Sequence, residues 1–368
     1  MNYAVFKWLS LFQVLVLLSG CGERKPECRT DPLRVNVIFQ DDRVCSESER
    51  QKLLNTFRPS FRSTMPHVAT LEHAMRLWAG KGRNDAGEEL SSTTMASILC
   101  NSEMMYESYP GAIKPVLTHD AEFGWRFGFR EGPMSSSHRG HTLACLMEAQ
   151  VGLEFPVSDN DSHGVLRDVL VDSMVNFSLD DEDIEWSTLA FVLGSSAKSW
   201  ANRKGEIITH DAIARELMSR GLSGGECYGT HVLYTLSVIL QANGNSQIVA
   251  PTTESDIVVF LQRSTKKAMV SQNLDGSWDK NWRDSLAGTK TFADGSMIEA
   301  VHVTGHLLEY WAIAPESAHP STEAVIRASR WLLPSAAGVV NAESRENFSI
   351  TTHAVRALVM LSTGRTEI

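Results

Sequence analysis

The chain is expected to be all-α and built from six helical hairpins. Three observations carry this. From Ser46 onward apolar residues recur at helical spacing, and the strict alternation of a strand is scarce. Gly and Pro clusters fall between those runs, as turns between helices would require. One local pattern also returns along the chain: a small or polar residue, then His, then an apolar run. Its copies are Glu72-His73, Gly140-His141, Thr230-His231, Gly305-His306 and Thr352-His353, and in a sixth copy, Glu185-Trp186, Trp stands for His. The intervals between successive copies are 68, 45, 45, 75 and 47 residues. These fit a unit of about 45 residues with two loop insertions, a period typical of stacked helical pairs.

In order, the periodicity predicts helices over 46–57, 69–79, 92–106, 137–152, 163–177, 183–200, 210–219, 228–242, 254–270, 297–314, 321–333 and 350–362. The first opens on Ser46-x-x-Glu49, a capping-box spacing. The second puts Leu71, Met75 and Trp78 on one face. A long loop through Pro110, Pro115 and Gly124-Trp125 separates the third from the fourth. The eleventh should stop at Pro334, and the last closes at Gly364. A closed double ring and an open solenoid would bury the inner helices equally well, so periodicity does not choose between them.

The start of the chain reads differently. Lys7 precedes an apolar run over 8–18, too short to span a bilayer. It ends Leu18-Ser19-Gly20-Cys21, which resembles a bacterial lipobox and implies acylation of Cys21. That implies a protein of the bacterial cell envelope, anchored to a membrane through acyl chains and facing the periplasm or exterior. Residues 21–45, with Pro26, Pro32 and many charges, read as a tether. Cys28 and Cys45 in that region are placed to form a disulfide, and Cys100 and Cys145 read as buried hydrophobes. The net charge of −10 argues against nucleic acid as the partner.

Gln272-x-x-x-Gly276-x-Trp278 resembles the QW motif of the squalene cyclase family, standing between an outer helix and the next inner one. Gln would cap a helix end, and Trp would pack on the neighbouring turn. The chain thus resembles the terpenoid cyclase and protein prenyltransferase superfamily, which implies an (α/α)6 toroid. The expected layout is a signal segment over 1–20, a tether over 21–45 and a toroid domain over 46–368. The resemblance places chemistry at the N-terminal ends of the inner helices. The stretch matching the class II acidic motif is Asp183-Ile184-Glu185-Trp186, with two acids replaced, which speaks against cyclase chemistry. Acids there also simply favour a helix N-terminus. Prenyltransferases hold zinc on Asp, Cys and His. Here Cys227, His302 and His306 supply ligand types that suit zinc, and His302 and His306 lie four apart on one helix face.

In such a ring His73, His141, Trp186, His231, His302, His306 and His353 would converge on one rim and line a central pocket. Any one of these histidines could instead simply bond to the next hairpin. No phosphate-binding loop, dinucleotide fingerprint or serine elbow is present. Two functions fit: a protein that binds a small molecule or partner in a His-lined pocket, or a metal-dependent enzyme acting on a lipid, isoprenoid or glycan.

Overall fold

A computed structural model describes residues 25–57, 60–61, 68–78, 82–84, 89–109, 114–132, 134–223, 225–284, 294–339 and 345–367. The expected signal segment and Cys21 lie outside them. The described residues are mostly helical. The helices are α1 Glu47–Phe57, α2 Val68–Trp78, α3 Ser92–Cys100, α4 Ser102–Ser108, α5 His141–Glu148, α6 Leu166–Val175, α7 Ile184–Gly194, α8 His210–Arg220, α9 Thr230–Ser246, α10 Pro251–Ser271, α11 Asp294–Ile313, α12 Thr322–Val339 and α13 Arg345–Thr363.

Six of them pack in cyclic order. α2 lies on α5, α5 on α7, α7 on α9, α9 on α11, α11 on α13, and α13 returns to α2. Their apolar content explains the position. All eleven residues of α7 are buried, as a helix without a polar face requires. The others flank this layer. In α10 only one stripe is buried, running through Thr253, Ile257, Leu261, Thr265 and Ala268, so α10 is an amphipathic outer helix.

The expected tether is a docked strap. Residues 25–45 cross the C-terminal ends of the inner helices α7, α9, α11 and α13. Backbone N–H groups of Arg29, Leu33, Ile38 and Asp41 donate to the carbonyls of Gly194, Leu193, Ala312 and Leu361. Asn36 exchanges two hydrogen bonds with the Gln241 side chain, each 2.9 Å. These are carbonyls that a helix end cannot satisfy itself. The strap also separates Cys28 from Cys45. Both are free thiols, Cys28 bridging to Ser195 and Cys45 packing at the start of α1. Cys100 and Cys145 are buried.

Several boundaries differ from the periodicity. The expected helix 92–106 breaks at Asn101, whose Oδ1 accepts from Met104 N at 2.9 Å and caps α4. α12 runs through Pro334 to Val339. The carbonyl that loses its partner belongs to Arg330, an exposed residue within reach of water. The loop around Trp125 is a hairpin of β4 Leu117–Asp120 and β5 Gly124–Phe127. His163 lies in the hairpin β6 Pro156–Asp159 and β7 Ser162–Val165, and Trp200 in β8 Ser199–Ala201 paired with β9 Ile207–Thr209. Short strands β1 Ser60–Phe61, β2 Gly82–Asn84 and β3 Glu89–Leu90 form one small sheet. The capping box is present: Glu49 Oε2 accepts from Ser46 N at 2.8 Å, and Ser46 Oγ from Glu49 N at 3.4 Å. Among the described residues, no helix is long and apolar enough to cross a membrane.

Gln272 to Trp278 joins three helices. Gln272 Nε2 donates to Gly276 O and Ala324 O at 2.9 and 3.0 Å, and Arg327 bonds its Oε1. Trp278 Nε1 donates to Ala268 O at 2.7 Å, its backbone N–H to Thr304 Oγ1 at 2.9 Å, and its ring meets Trp311. Gly276 has φ 101°, and a Cβ there would lie 2.7 Å from Arg327 O, so only glycine closes this turn.

Candidate functional site

The repeated anchors meet in a closed ring of side chains, one from each inner helix. Centroids are 5.0 Å apart for His73 and His141, 4.2 Å for His141 and Trp186, 4.7 Å for Trp186 and His231 and 5.2 Å for His231 and His306. His306 and His353 are 3.8 Å apart, and His353 returns to His73 at 5.0 Å. Their order in space is their order in the chain, as the cyclic packing of the six helices requires. The space left among Trp186, His231, His306 and His353 is about 10 Å³, room for one water-sized body. A small organic molecule does not fit between these rings.

Hydrogen bonds fix which nitrogens are bare. Nδ1 of His73 lies 2.6 Å from Ala69 O, and Nδ1 of His306 lies 2.8 Å from His302 O. Nδ1 of His353, His141 and His138 meets Glu309, Glu72 and Asp183 at 2.7, 2.8 and 2.9 Å. These oxygens only accept, so each Nδ1 carries a proton and each Nε2 points away from its anchor. His73 and His353 meet Nε2 to Nε2 at 3.2 Å, and burial holds both well below the ordinary imidazole value. His231 is the reverse case. Trp186 Nε1 donates to its Nδ1 at 3.1 Å, so its Nε2 carries the proton. The Nε2 atoms of His231 and His306 are buried without a hydrogen-bond partner.

Cys227 enters this layer on a strained turn. Cys227, Tyr228 and Gly229 have φ of 46°, 60° and 80° immediately before α9. Two are not glycine, and such residues each cost about 1–3 kcal/mol unless the surroundings hold them. Thr230 Oγ1 helps by donating to Cys227 O at 2.7 Å. The Cys227 sulfur sits between two groups of nitrogens. With His138 and His231 it forms one set of ligand atoms within 4.8 Å of one another, and with His302 and His306 a second. Burial would raise the thiol, but His231, His302 and His138 outweigh it and hold Cys227 well below its ordinary value. Burial likewise opposes a charge on His138, yet Asp183 and Cys227 lift it to about 10. Burial, and then Asp183, raise Glu185 to about 7.

A charged layer lies under the ring. Arg76 pairs with Glu148 at 2.7 Å and Glu309 at 3.3 Å. Arg356 pairs with the same two acids, and Tyr234 donates to Glu148 at 2.5 Å. Two guanidinium groups thus face two carboxylates, all buried, and the set is neutral. Glu72 stands apart. Burial opposes its ionisation, but His141, Thr142 and Ser136 hold it below the ordinary carboxylate range.

No family model, curated protein or solved structure matches the chain. The arrangement of side chains is therefore the guide to function.

Of the residues singled out in the sequence, His73, His141, Trp186, His231, His306 and His353 form the ring. His302 lies beside His306 at 4.5 Å and faces Tyr228. Periodicity missed Arg76, Glu148, Glu309 and Arg356. Their signal was charge on inner helices that are otherwise apolar, since a buried charge needs a partner. Asp183, read as a helix-end acid, is buried and makes no cap; it accepts from His138 instead.

Proposed function

We propose that the chain is a metal-dependent enzyme on an (α/α)6 toroid, with zinc held by Cys227, His302 and His306. The cyclic order of the inner helices and their outer flanking helices supports the toroid. One observation carries the metal reading. The ligand atoms of Cys227, His302 and His306 lie within 4.8 Å of one another, and His306 Nε2 is buried and unpartnered while its Nδ1 is tied to His302 O. A ligating histidine is commonly anchored in this way through its other nitrogen. Cys and two His are a zinc donor set, and three protein ligands leave a position open. Bound zinc would supply Lewis acidity and an activated water or thiolate. His231 stands beside the Cys227 sulfur and favours its thiolate form, but is not a ligand, because Trp186 occupies its Nδ1 and its Nε2 carries the proton. His138, oriented by Asp183, gives or takes a proton beside the sulfur. The narrow space within the ring disfavours the alternative of a small molecule bound between the histidines.

Protein purified without chelator should carry about one zinc per chain. Cys227→Ala and His306→Ala should each lose most of it with the helical circular dichroism retained. Metal-free wild type, or metal kept in both variants, would overturn the proposal. The Cys227–His138–Asp183 arrangement favours a second reading, a thiolate nucleophile without metal. Metal-free wild type in which iodoacetamide labels Cys227 at mildly acidic pH would support that reading instead.

We also propose that Cys21 is acylated and holds the protein on a membrane of the cell envelope, on the strength of Leu18-Ser19-Gly20-Cys21. Cys21→Ser should move the protein from the membrane to the soluble fraction. Unchanged fractionation would remove the anchor.

A further inference from the structure

The chain carries −10 overall, yet one groove on it is cationic. It holds about 420 Å³, within the range of small-molecule sites. Five of its lining residues are Lys or Arg (Lys114, Arg126, Arg139, Arg203 and Lys204) and two are acids (Glu131 and Asp181), a local excess of 5 − 2 = +3. Two of the guanidinium groups are set against aromatic rings. Arg139 lies over Phe129 and Arg203 over Phe123, each 4.8 Å from the ring centroid. Arg203 is further fixed by Asn176 Oδ1 at 2.9 Å and by Glu122 O. Arg126 makes no salt bridge among the described residues, although its charge acts on the nearby Asp120 carboxylate.

The groove is set beside the histidine layer. Its floor includes Gly140 and Ser187, the chain neighbours of His141 and Trp186. Gly140 has φ 73°, and a Cβ there would lie 2.5 Å from Ser187 Oγ, so the floor closes only with glycine. Arg139 follows His138 in the chain. The groove thus adjoins His138, His141 and Trp186 along the chain.

We propose that this groove binds a small anionic molecule that carries a ring, with an oxyanion group on Arg126 and Arg203 and the ring against the Phe123 side. Planar guanidinium donors match the geometry of phosphate, sulfate and carboxylate alike, and stacking on phenyl faces holds them ready. Apolar and aromatic lining with a few convergent charges suits a ring better than a bare inorganic ion. The proposal names the substrate class for the enzyme above. The binding step itself does not depend on the metal.

The test is calorimetric titration of the full chain with phenyl phosphate, phenyl sulfate and benzoate, and with phenol as the uncharged control. At least one anion should bind saturably in wild type, and the strongest of the three identifies the oxyanion. Phenol should bind at least about tenfold more weakly. Arg126→Gln and Arg203→Met should each weaken the anion about tenfold, with unchanged circular dichroism. Arg126 is exposed and makes no salt bridge among the described residues, so its replacement tests the charge without disturbing the fold. Cys227→Ala should bind as wild type does, which separates failure of the metal reading from failure of this one. The groove proposal is overturned if no anion binds, if phenol binds equally well, or if both arginine variants bind as wild type.

Discussion

Arg356→Met should lower the unfolding free energy by about 3–5 kcal/mol, the range for removing one partner of a buried ion pair. Arg356 is 1% exposed and bonds to Glu148, Glu309 and Tyr234. Methionine fills much of the volume but leaves two buried carboxylates to share the Arg76 guanidinium. Burial already works against ionisation of both acids, and the two guanidinium groups overcome it. Losing one therefore exposes a penalty that the fold now hides. Urea unfolding of wild type and variant measures the difference. A loss below about 1 kcal/mol would mean that water reaches this layer and screens it. Glu309→Gln in the Arg356→Met background should recover part of the loss, since it removes the stranded charge.

Trp278→Ala should cost about 3–5 kcal/mol by the same measurement, as for other large-to-small changes at buried aromatics. Trp278 is fully buried. The change opens a void against Trp311 and leaves Ala268 O without the indole donor. It also loosens the junction of α10, α11 and α12, where Gln272 and Gly276 hold the same turn. A cost below about 1 kcal/mol would show that the turn is held without the ring.

The ring was legible in the sequence because one local pattern recurs on six helices, and those helices pack in cyclic order. Five histidines and Trp186 could be aligned by their first helical turns, and they meet in chain order. The charged layer was not legible, because Arg76 finds Glu309 across 233 positions and no local period joins them. Cys227 was visible as a ligand type, but not the left-handed turn that aims it, since only backbone geometry shows φ of 46° there. The strap was misread as a tether for a related reason. An extended segment whose bonds run through its backbone to helix ends has no side-chain pattern to betray it. The three short hairpins escaped similarly, with strands of three or four residues and no alternation to detect.

The strap also gives the molecule two unlike poles. It closes the pole at which the inner helices end, and the histidines and Cys227 occupy the other. Along α9 alone, His231 and Ser246 are separated by roughly 22 Å of helix. Cys21 precedes the first described residue of the strap by only four positions. An acyl group there would therefore seat the strapped pole toward the bilayer and turn the thiolate pole outward, toward soluble substrates arriving from the aqueous side.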